Sequence, residues 1–548
     1  MDATVIPLDM PWSLYDDVEQ VAAGEKVIFS ASGMPALAIV DGFTLRYGRG
    51  RQQPFTEGMS LQWGPRQLRI WNLPVSSTPA YDAIDLRLHD GKAGHIDLEL
   101  AMTGCLGRWS KERVSDPLGE RALEREIMLA IMIDQIEEIA NLERADIAAQ
   151  GVMRGRLRAD WRCVAETLLN ARDVNEPRMA LIVRHASSLH RHISELGRHP
   201  RRVLSRNRRL QAVHRIQELD STCLAWYVRQ PGRTPAEKAG SRRSLLAIVR
   251  EETVDTPENQ VLRDFLTRTV QAAESYLGAN RNLATSSRYS EVSRYHQTCT
   301  ALLRRPEFSE IRSLHGVAKP NYVLTSDPRY RCIWDAYQQL LRRQDAQDDA
   351  WSWQARLWGD MVALVVNTAF LFDTTIEVLA LPPLYLRKDH DRGRWLESTG
   401  CNGIFATSTL VLTVHDTGAD SASSEIVKRY RILGPRLVVR KQALGQVQQN
   451  EDVLVWAVVS AGSETSTLDS LTERADAALA RWRDERRRFY NEQCRVRGMV
   501  VALSDRLSGA LQMAEHGNTV GFMMPLDGAG FYSGIESIGT QLICGTFQ

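Results

Sequence analysis

Nine arginines stand between Arg184 and Arg215, in "RHASSLHRHISELGRHPRRVLSRNRRLQAVHR", against a single acid, Glu195. Guanidinium groups bind phosphate through paired donors, and each phosphate neutralised releases counterions, so such a cluster is a candidate nucleic-acid footprint. Its densest part, Arg201, Arg202, Arg206, Arg208 and Arg209, supplies the candidate contacts to double-stranded DNA. The competing reading of the same charges is a solvated helix face, or arginines paired with acids elsewhere in the chain. Five of the twelve histidines, His185, His190, His192, His199 and His214, lie in this stretch too. No metal site is expected from them, because no cysteine or carboxylate stands at ligand spacing and i,i+2 is a poor helical pairing for a shared ion.

A second group of candidates is acidic: Asp360, Asp373 and Glu377 in "FDTTIE", Asp389 and Asp391 in "RKDHDRGR", and Glu464. Carboxylates of this kind hold Mg²⁺ when they converge. Asp373 and Glu377, four apart, share a face of either a helix or a strand. No lysine follows at the spacing a metal-dependent nuclease needs. In "VREETVDTPENQVLRDFLTR" the Asp255-Thr256-Pro257 step reads as a helix cap with a helix-starting proline, and Glu258 suits the first turn, while the roles of Asn259 and Arg263 stay open. There is no GxxxxGK[ST], HExxH, GxSxG or paired CxxC, so P-loop hydrolysis and the common hydrolase and thiol-redox motifs have no representative. The stretch "GFMMPLDGAGFYSG" reads as a loop rather than a phosphate cradle, for want of a strand-to-helix context.

The elements that would position these residues change along the chain. From about residue 25 to 105 short apolar runs alternate with Gly and Pro. In "AIDLRLHDGKAGHIDLELAM" the residues Ile84, Leu86 and Leu88, then Ile96, Leu98 and Leu100, fall every second position around Asp90-Gly91, which predicts a hairpin with one buried face. "LGERALEREIMLAIMIDQIEEIANLERADI" moves to helical spacing at Leu123, Ile127, Ile131, Ile136, Ile139 and Leu142, and helical patterns continue to about residue 345. After Trp351 the order is helix, strands "FDTTIEVLAL", "GIFATSTLVLTVHD", "YRILGPRLVVRK" and "DVLVWAVVSAG", a long helix, then strand "GMVVALSD". This predicts a multidomain α+β protein. Residues 1–115 form a β-rich sandwich or barrel, 116–348 a helical domain, and 349–548 an α/β domain of αβββαβ order with one extra strand.

Composition sets the limits. The 548 residues are 43% hydrophobic and 25% charged, and 68 Lys+Arg against 67 Asp+Glu leave a net charge of +1, so any preference for a polyanion must be local. The eight cysteines, widely spaced, read as reduced core thiols. The acidic start lacks a signal pattern, and the longest apolar run, Met361 to Phe372, is too short to span a bilayer. A cytoplasmic protein with no membrane partner is expected.

The run "ELDSTCLAWYVRQPGRTPAEKAG", then "VREETVDTPENQVLRDFL" and "PNYVLTSDPRYRCIWDAYQQLL" resembles a bacterial family of helical domains found in McrC-like proteins. The resemblance covers about residues 120 to 345, and the rest by order of elements. It implies an AAA+ partner of the McrB type. It also implies a following nuclease domain of the PD-(D/E)xK type, in which one strand opens with an aspartate, often after proline. The next strand carries an acid-x-lysine triplet, and together these bind Mg²⁺ and position the attacking water. Here the first place reads Gly434-Pro435-Arg436 and the second Trp456-Ala457-Val458. Arginine and tryptophan cannot hold a hard cation, and valine cannot replace the lysine. The expectation is therefore a non-catalytic, DNA-binding accessory subunit of a bacterial restriction or anti-phage system, without a cofactor. One alternative is an active Mg²⁺-dependent endonuclease using other acids; another is a protein-only scaffold whose arginines pair internally.

Overall fold

The computed structural model describes residues 5–15, 26–30, 36–40, 43–47, 56–63, 66–72, 84–90, 94–103, 117–147, 156–170, 176–397, 400–418, 424–444, 450–459, 467–487, 495–526 and 528–544. They divide into two units, one of Met1–Ala180 with Gln344–Gln548, the other of Leu181–Arg343.

The first unit begins with strands β1 (Val5–Leu8), β2 (Lys26–Ser30), β3 (Ala36–Val40), β4 (Phe43–Tyr47), β5 (Thr56–Trp63), β6 (Arg66–Asn72), β7 (Ile84–Asp90) and β8 (Gly94–Thr103). They make two four-stranded sheets, ordered β1-β3-β6-β5 and β2-β8-β7-β4. The hairpin pairs as its alternation leads one to expect: Ile84, Leu86 and Leu88 stand opposite Leu100, Leu98 and Ile96. Next come α1 (Pro117–Ile147), β9 (Arg156–Ala159) and α2 (Trp161–Asn170). The buried stripe of α1 runs through Met128, Leu129, Met132, Ile133, Ile136 and Ile139, whereas Leu123, Ile127 and Ile131 are only half-buried; the side chain of Leu142 lies outside the described residues. The stripe is turned from the expected one because two methionines and Arg125, which pairs with Asp505 at 2.7 Å, take core positions.

The second unit contains α3 (Leu181–Arg198), β10 (Val203–Ala212), α4 (Ser221–Arg229), α5 (Pro235–Lys238), β11 (Ser244–Thr253), α6 (Pro257–Ala279), α7 (Ser287–Leu303), α8 (Pro306–Glu310), α9 (Tyr322–Ser326) and α10, which runs from Pro328 on to Ser352. Helices dominate, as the periodicity predicts. The departure is an antiparallel ribbon in which β10 and β11 pair over ten residues, from Val203 opposite Thr253 to Ala212 opposite Ser244. Arg206, Arg208 and Arg209 therefore lie on a strand and not on a helix face, with Arg201 and Arg202 just before it.

The chain returns to the first unit with α11 (Gln354–Phe372), β12 (Glu377–Ala380), β13 (Leu384–Asp391), β14 (Arg394–Glu397), β15 (Cys401–Ala406), β16 (Leu410–Asp416), α12 (Glu425–Tyr430), β17 (Leu437–Ala443), β18 (Asn450–Val459), α13 (Leu468–Arg487), β19 (Arg495–Leu503), β20 (Gln512–His516), β21 (Thr519–Met524) and α14 (Ala529–Cys544). An eight-stranded mixed sheet, β12-β15-β16-β17-β18-β19-β21-β20, forms its centre. β17 runs antiparallel to both β16 and β18, and β18 and β19 are parallel. The near-continuous apolar runs of β18 and β19 suit strands covered on both faces. α13 buries Leu468, Leu471, Ala475, Ala478, Leu479 and Trp482 at helical spacing.

Helix α11 reaches the length range of a membrane-spanning helix, about 17–25 residues, only because it begins at Gln354, seven residues before the apolar run read from the sequence. Its 19 residues, mean hydropathy 1.3, pass a length-and-composition test for a membrane span, yet 78% of that window is buried inside the unit. It is apolar all round because it is a core helix. Among the described cysteines none is in a disulfide; Cys223 and Cys299 are buried, Cys163, Cys332 and Cys401 half-buried and Cys544 exposed, so the core-thiol expectation holds for the first two. Cys105 and Cys494 lie outside the described residues.

Candidate functional site

In the first unit, chemistry-bearing side chains meet where β17 begins. Asp360 projects from α11, Asp416 ends β16, and Arg436 immediately precedes β17. The Arg436 guanidinium spans both acids, with Nη2 donating to Asp360 Oδ1 at 3.0 Å and Nη1 donating to Asp416 Oδ1. Asp360 Oδ2 also accepts the backbone N–H groups of Trp395 (2.8 Å) and Leu396 (3.0 Å). Asp416 accepts the N–H of Gly418 at 2.8 Å and, through Oδ2, an amide N–H of Asn402 at 3.4 Å. The two carboxylate side chains are only 4% and 1% exposed. Small residues make room for the guanidinium: a Cβ at Gly418 would stand 2.7 Å from Nη1, and one at Gly359 3.1 Å from Cδ.

Burial pushes the Asp360 carboxyl above the usual carboxylate range, against the pull of Arg436 and the two backbone donors. Burial also works against the Arg436 charge, but the carboxylates of Asp416 and Asp360 prevail and hold its pKa above the ordinary value. The arrangement is thus a fixed cation between two buried acids. A guanidinium supplies charge there but no vacant coordination position, so it can neither bind a water for attack nor polarise a phosphate as a metal does.

Trp456 and Val458 belong to the other face of the sheet. They pack with Trp12, Leu468 and Trp482, Trp456 Nε1 donates to the Leu433 carbonyl at 2.8 Å, and its ring meets Trp12 edge-on at 5.3 Å. The β18 residues on the α11 side are Val455, Ala457 and Val459. Either face of β18 is apolar here, so neither register offers a metal ligand. Asp373 closes α11 and accepts from Thr375, and Glu377 is exposed on the edge strand β12; they share no face. The side chains of Asp389 and Asp391, and all of Glu464, lie outside the described residues. Asp416, which the sequence reading passed over, is the acid that completes the site; its signal was a strand ending in Asp two residues before a glycine. Among the described residues no group of three or more His, Cys, Asp or Glu is placed to share an ion.

The second unit carries the charge. Between Leu181 and Arg343 there are 28 Lys+Arg and 15 Asp+Glu, a net charge of +13, so the rest of the chain, 40 against 52, carries −12. The balanced total hides this division. The five candidate arginines each meet an acid: Arg201 pairs with Glu258, Arg202 with Glu252 at 3.5 Å, Arg206 with Glu218, Arg208 with Asp220 at 2.5 Å and Arg209 with Glu251 at 2.8 Å. The Arg208 hydrogen bond, with the Cys223 N–H, holds Asp220 well below the usual carboxylate range. The ribbon is therefore an ion-pair lattice, and the positive surplus belongs to the unit as a whole.

The segments "DTPEN" and "PNYVLTSDPRY" meet in this unit. Thr256, not Asp255, caps α6, with Pro257 first in the helix; Asp255 instead receives Arg312 at 2.5 Å and Gln260 at 2.8 Å. Asn259, fully buried, donates to the carbonyls of Arg201 (2.8 Å) and Val254 (2.7 Å) and accepts the Tyr330 hydroxyl at 2.6 Å. Glu258 accepts from Arg201 and, at 3.2 Å, from Asn321. Arg263, also left open by the sequence, donates to the Ile311 carbonyl. Above this network lies a cavity of about 450 Å³ lined by His199, Arg201, Tyr322, Asp327, Arg329 and Tyr330 among others.

The five histidines do not converge on one point. His185 is buried with Nε2 2.9 Å from Gln339 Oε1, and His190 stands 3.4 Å from Thr298 Oγ1. Burial pushes the His185 imidazolium down to about 4, with the charges of Arg184 and Arg343 adding to it and the Gln339 bond opposing. A histidine depressed from about 6.5 stabilises the fold fully above that pH and ceases to do so as pH falls towards 4. Thermal unfolding of the unit should therefore shift by on the order of 3 kcal/mol across that window, and His185→Gln should flatten this limb of the pH profile.

The glycine-rich "GFMMPLDGAGFYSG" does follow a strand into a helix, β21 into α14, contrary to the loop expected. Gly521, Gly530 and Gly534 serve protein packing, a methyl on Gly530 for instance colliding with the Gly509 carbonyl, while Gly528 takes a positive φ of 74° in open space.

A family described as a domain of unknown function, DUF2357, matches residues 167–338. No curated protein matches the chain. Among solved structures, the chain is similar to the refined half-complex from the tetradecameric assembly of Thermococcus gammatolerans McrB AAA+ hexamers with bound McrC. That match has 10% identity and a TM-score of 0.21 and covers 88% of this chain and 85% of that one. It is also similar to the cryo-EM structure of the Thermococcus gammatolerans McrBC complex, with 12% identity and a TM-score of 0.16, covering 46% of this chain and 62% of that one.

Proposed function

We propose that this chain is a cytoplasmic, non-catalytic accessory subunit of a bacterial restriction or anti-phage defence system, which binds double-stranded DNA and works with an AAA+ partner of the McrB type. The observation that carries the non-catalytic part is Arg436, whose guanidinium fills the place between Asp360 and Asp416. A nuclease-like ancestry for residues 349–548 is supported by a succession of α11, antiparallel β16, β17 and β18, then α13 and parallel β19, which contains the elements of the αβββαβ order of PD-(D/E)xK enzymes with β12 to β15 and α12 added between them. The DNA-binding part is supported by the net charge of +13 on residues 181–343. The McrB-type partner follows from the McrC-like sequence resemblance across the matched stretch.

The test is binding of a labelled duplex at several salt concentrations, with and without Mg²⁺, with the same gels read for cleavage. Salt-sensitive binding with no cutting is the expected result. Arg208→Ala with Arg209→Ala should lower the slope of log affinity against log salt by about 1–2, the value for losing one or two phosphate contacts. Mg²⁺-dependent cutting would overturn the non-catalytic reading. A second reading has its own support: because all five candidate arginines have acidic partners, the unit also suits a protein-only scaffold. Duplex binding that is absent or indifferent to salt would favour it.

A further inference from the structure

We infer that the cavity beside Arg201 and Arg329 takes one unpaired nucleotide, so that the chain engages single-stranded as well as duplex nucleic acid. This rests on the DNA-binding reading above and names a second form of the ligand. The cavity holds about 450 Å³, within the range of sites for small ligands and far too small for a double helix. Its position in a unit of net charge +13 draws a polyanion to it.

The lining supplies the two contacts an unpaired nucleotide needs. Arg201 and Arg329 are each oriented by one carboxylate, Arg201 by Glu258 through Nη1, and Arg329 by Asp327 through Nε at 3.3 Å and Nη2 at 3.0 Å. A guanidinium has five N–H donors, so each keeps several for a phosphate, and the side chains are 39% and 42% exposed. These local pairs are neutral. The long-range attraction comes from the unit, and the pair geometry sets direction. Tyr322, first residue of α9, is 82% exposed at the cavity, an aromatic face without a core to pack into. A base stacked on it would recover that apolar surface. A duplex base already stacked on its neighbours has no such gain, which is the source of the preference.

The experiment measures affinity of the full chain for a labelled 15-nucleotide oligothymidylate and for a labelled duplex of the same length, by fluorescence anisotropy. Tyr322→Ala should weaken the single strand by about tenfold, within the range for one stacked base, and leave the duplex unchanged; Tyr322→Phe should bind as the parent does. Because the side chain is 82% exposed, thermal unfolding of Tyr322→Ala should match that of the parent, which separates loss of binding from loss of fold. Equal losses on both ligands, or no loss on the single strand, overturn the nucleotide pocket while leaving duplex binding standing. Failure of the parent protein to bind either ligand overturns the DNA-binding reading, and the pocket with it.

Discussion

Arg436→Met is expected to destabilise the first unit by about 3–5 kcal/mol, the range for removing one partner from a buried ion pair. Methionine fills much of the same volume, so the loss reports charge rather than a cavity. Asp360 and Asp416 would remain buried with no cation between them. Their surviving donors, two N–H groups on Asp360, and one N–H and one amide on Asp416, satisfy oxygens without neutralising them. The triple variant with Asp360→Asn and Asp416→Asn removes the whole charged group and should recover most of the loss, since an ion-pair group exchanged as a unit is often nearly neutral. Arg436→Lys should fall between, because an ammonium is a point charge that cannot span two carboxylates as a planar fork does. Denaturant midpoints measure all three. A loss under about 1 kcal/mol for Arg436→Met, the range of an exposed pair, would show the site open to water. Mg²⁺ should leave the parent's midpoint unmoved, because the cation's place is taken.

What could be read in the sequence was local. The period-2 alternation from Ile84 to Leu100 fixes a register that the paired strands reproduce, and the Thr256-Pro257 step marks the start of α6 to within a residue. The ribbon was not legible. β10, "VLSRNRRLQA", has no apolar alternation because its side chains are held by ions across to β11 and to Glu218 and Asp220, and pairing across about forty residues leaves no periodic trace. Asp416 escaped for a related reason: its meaning lies in its distance from Asp360, 56 residues away in sequence and set by a helix packed on a sheet. The charge division escaped because a sum over the whole chain cancels; it needs the unit boundaries, which are a property of the fold. By contrast, Arg436 was conspicuous as a charge at the mouth of a buried strand, although its partners were not.

The second large effect is expected at Asn259. Asn259→Ala should destabilise the unit formed by residues 181–343 by about 3 kcal/mol or more, since a buried group left without its hydrogen bond costs about 1–3 kcal/mol. Three partners are left: the carbonyls of Arg201 and Val254 and the Tyr330 hydroxyl. Tyr330 could turn its hydroxyl elsewhere, but it also accepts the Arg201 N–H at 3.1 Å, which fixes its position. Tyr330→Phe leaves both carbonyls paired but strips Asn259 Oδ1 of its donor and the Arg201 N–H of its acceptor, and should cost about 2 kcal/mol. Asn259→Asp keeps an acceptor for the hydroxyl and sets a carboxylate against two carbonyls, so it should be no better than alanine. The same bonds fix the start of the ribbon and the cavity wall at Arg201, so Asn259→Ala should also weaken single-strand binding, whereas Tyr322→Ala weakens binding with no change in unfolding. Loss of stability under about 1 kcal/mol at Asn259, with Arg201 amide exchange unchanged, would mean that the wall is held by Arg201 and Glu258 without it.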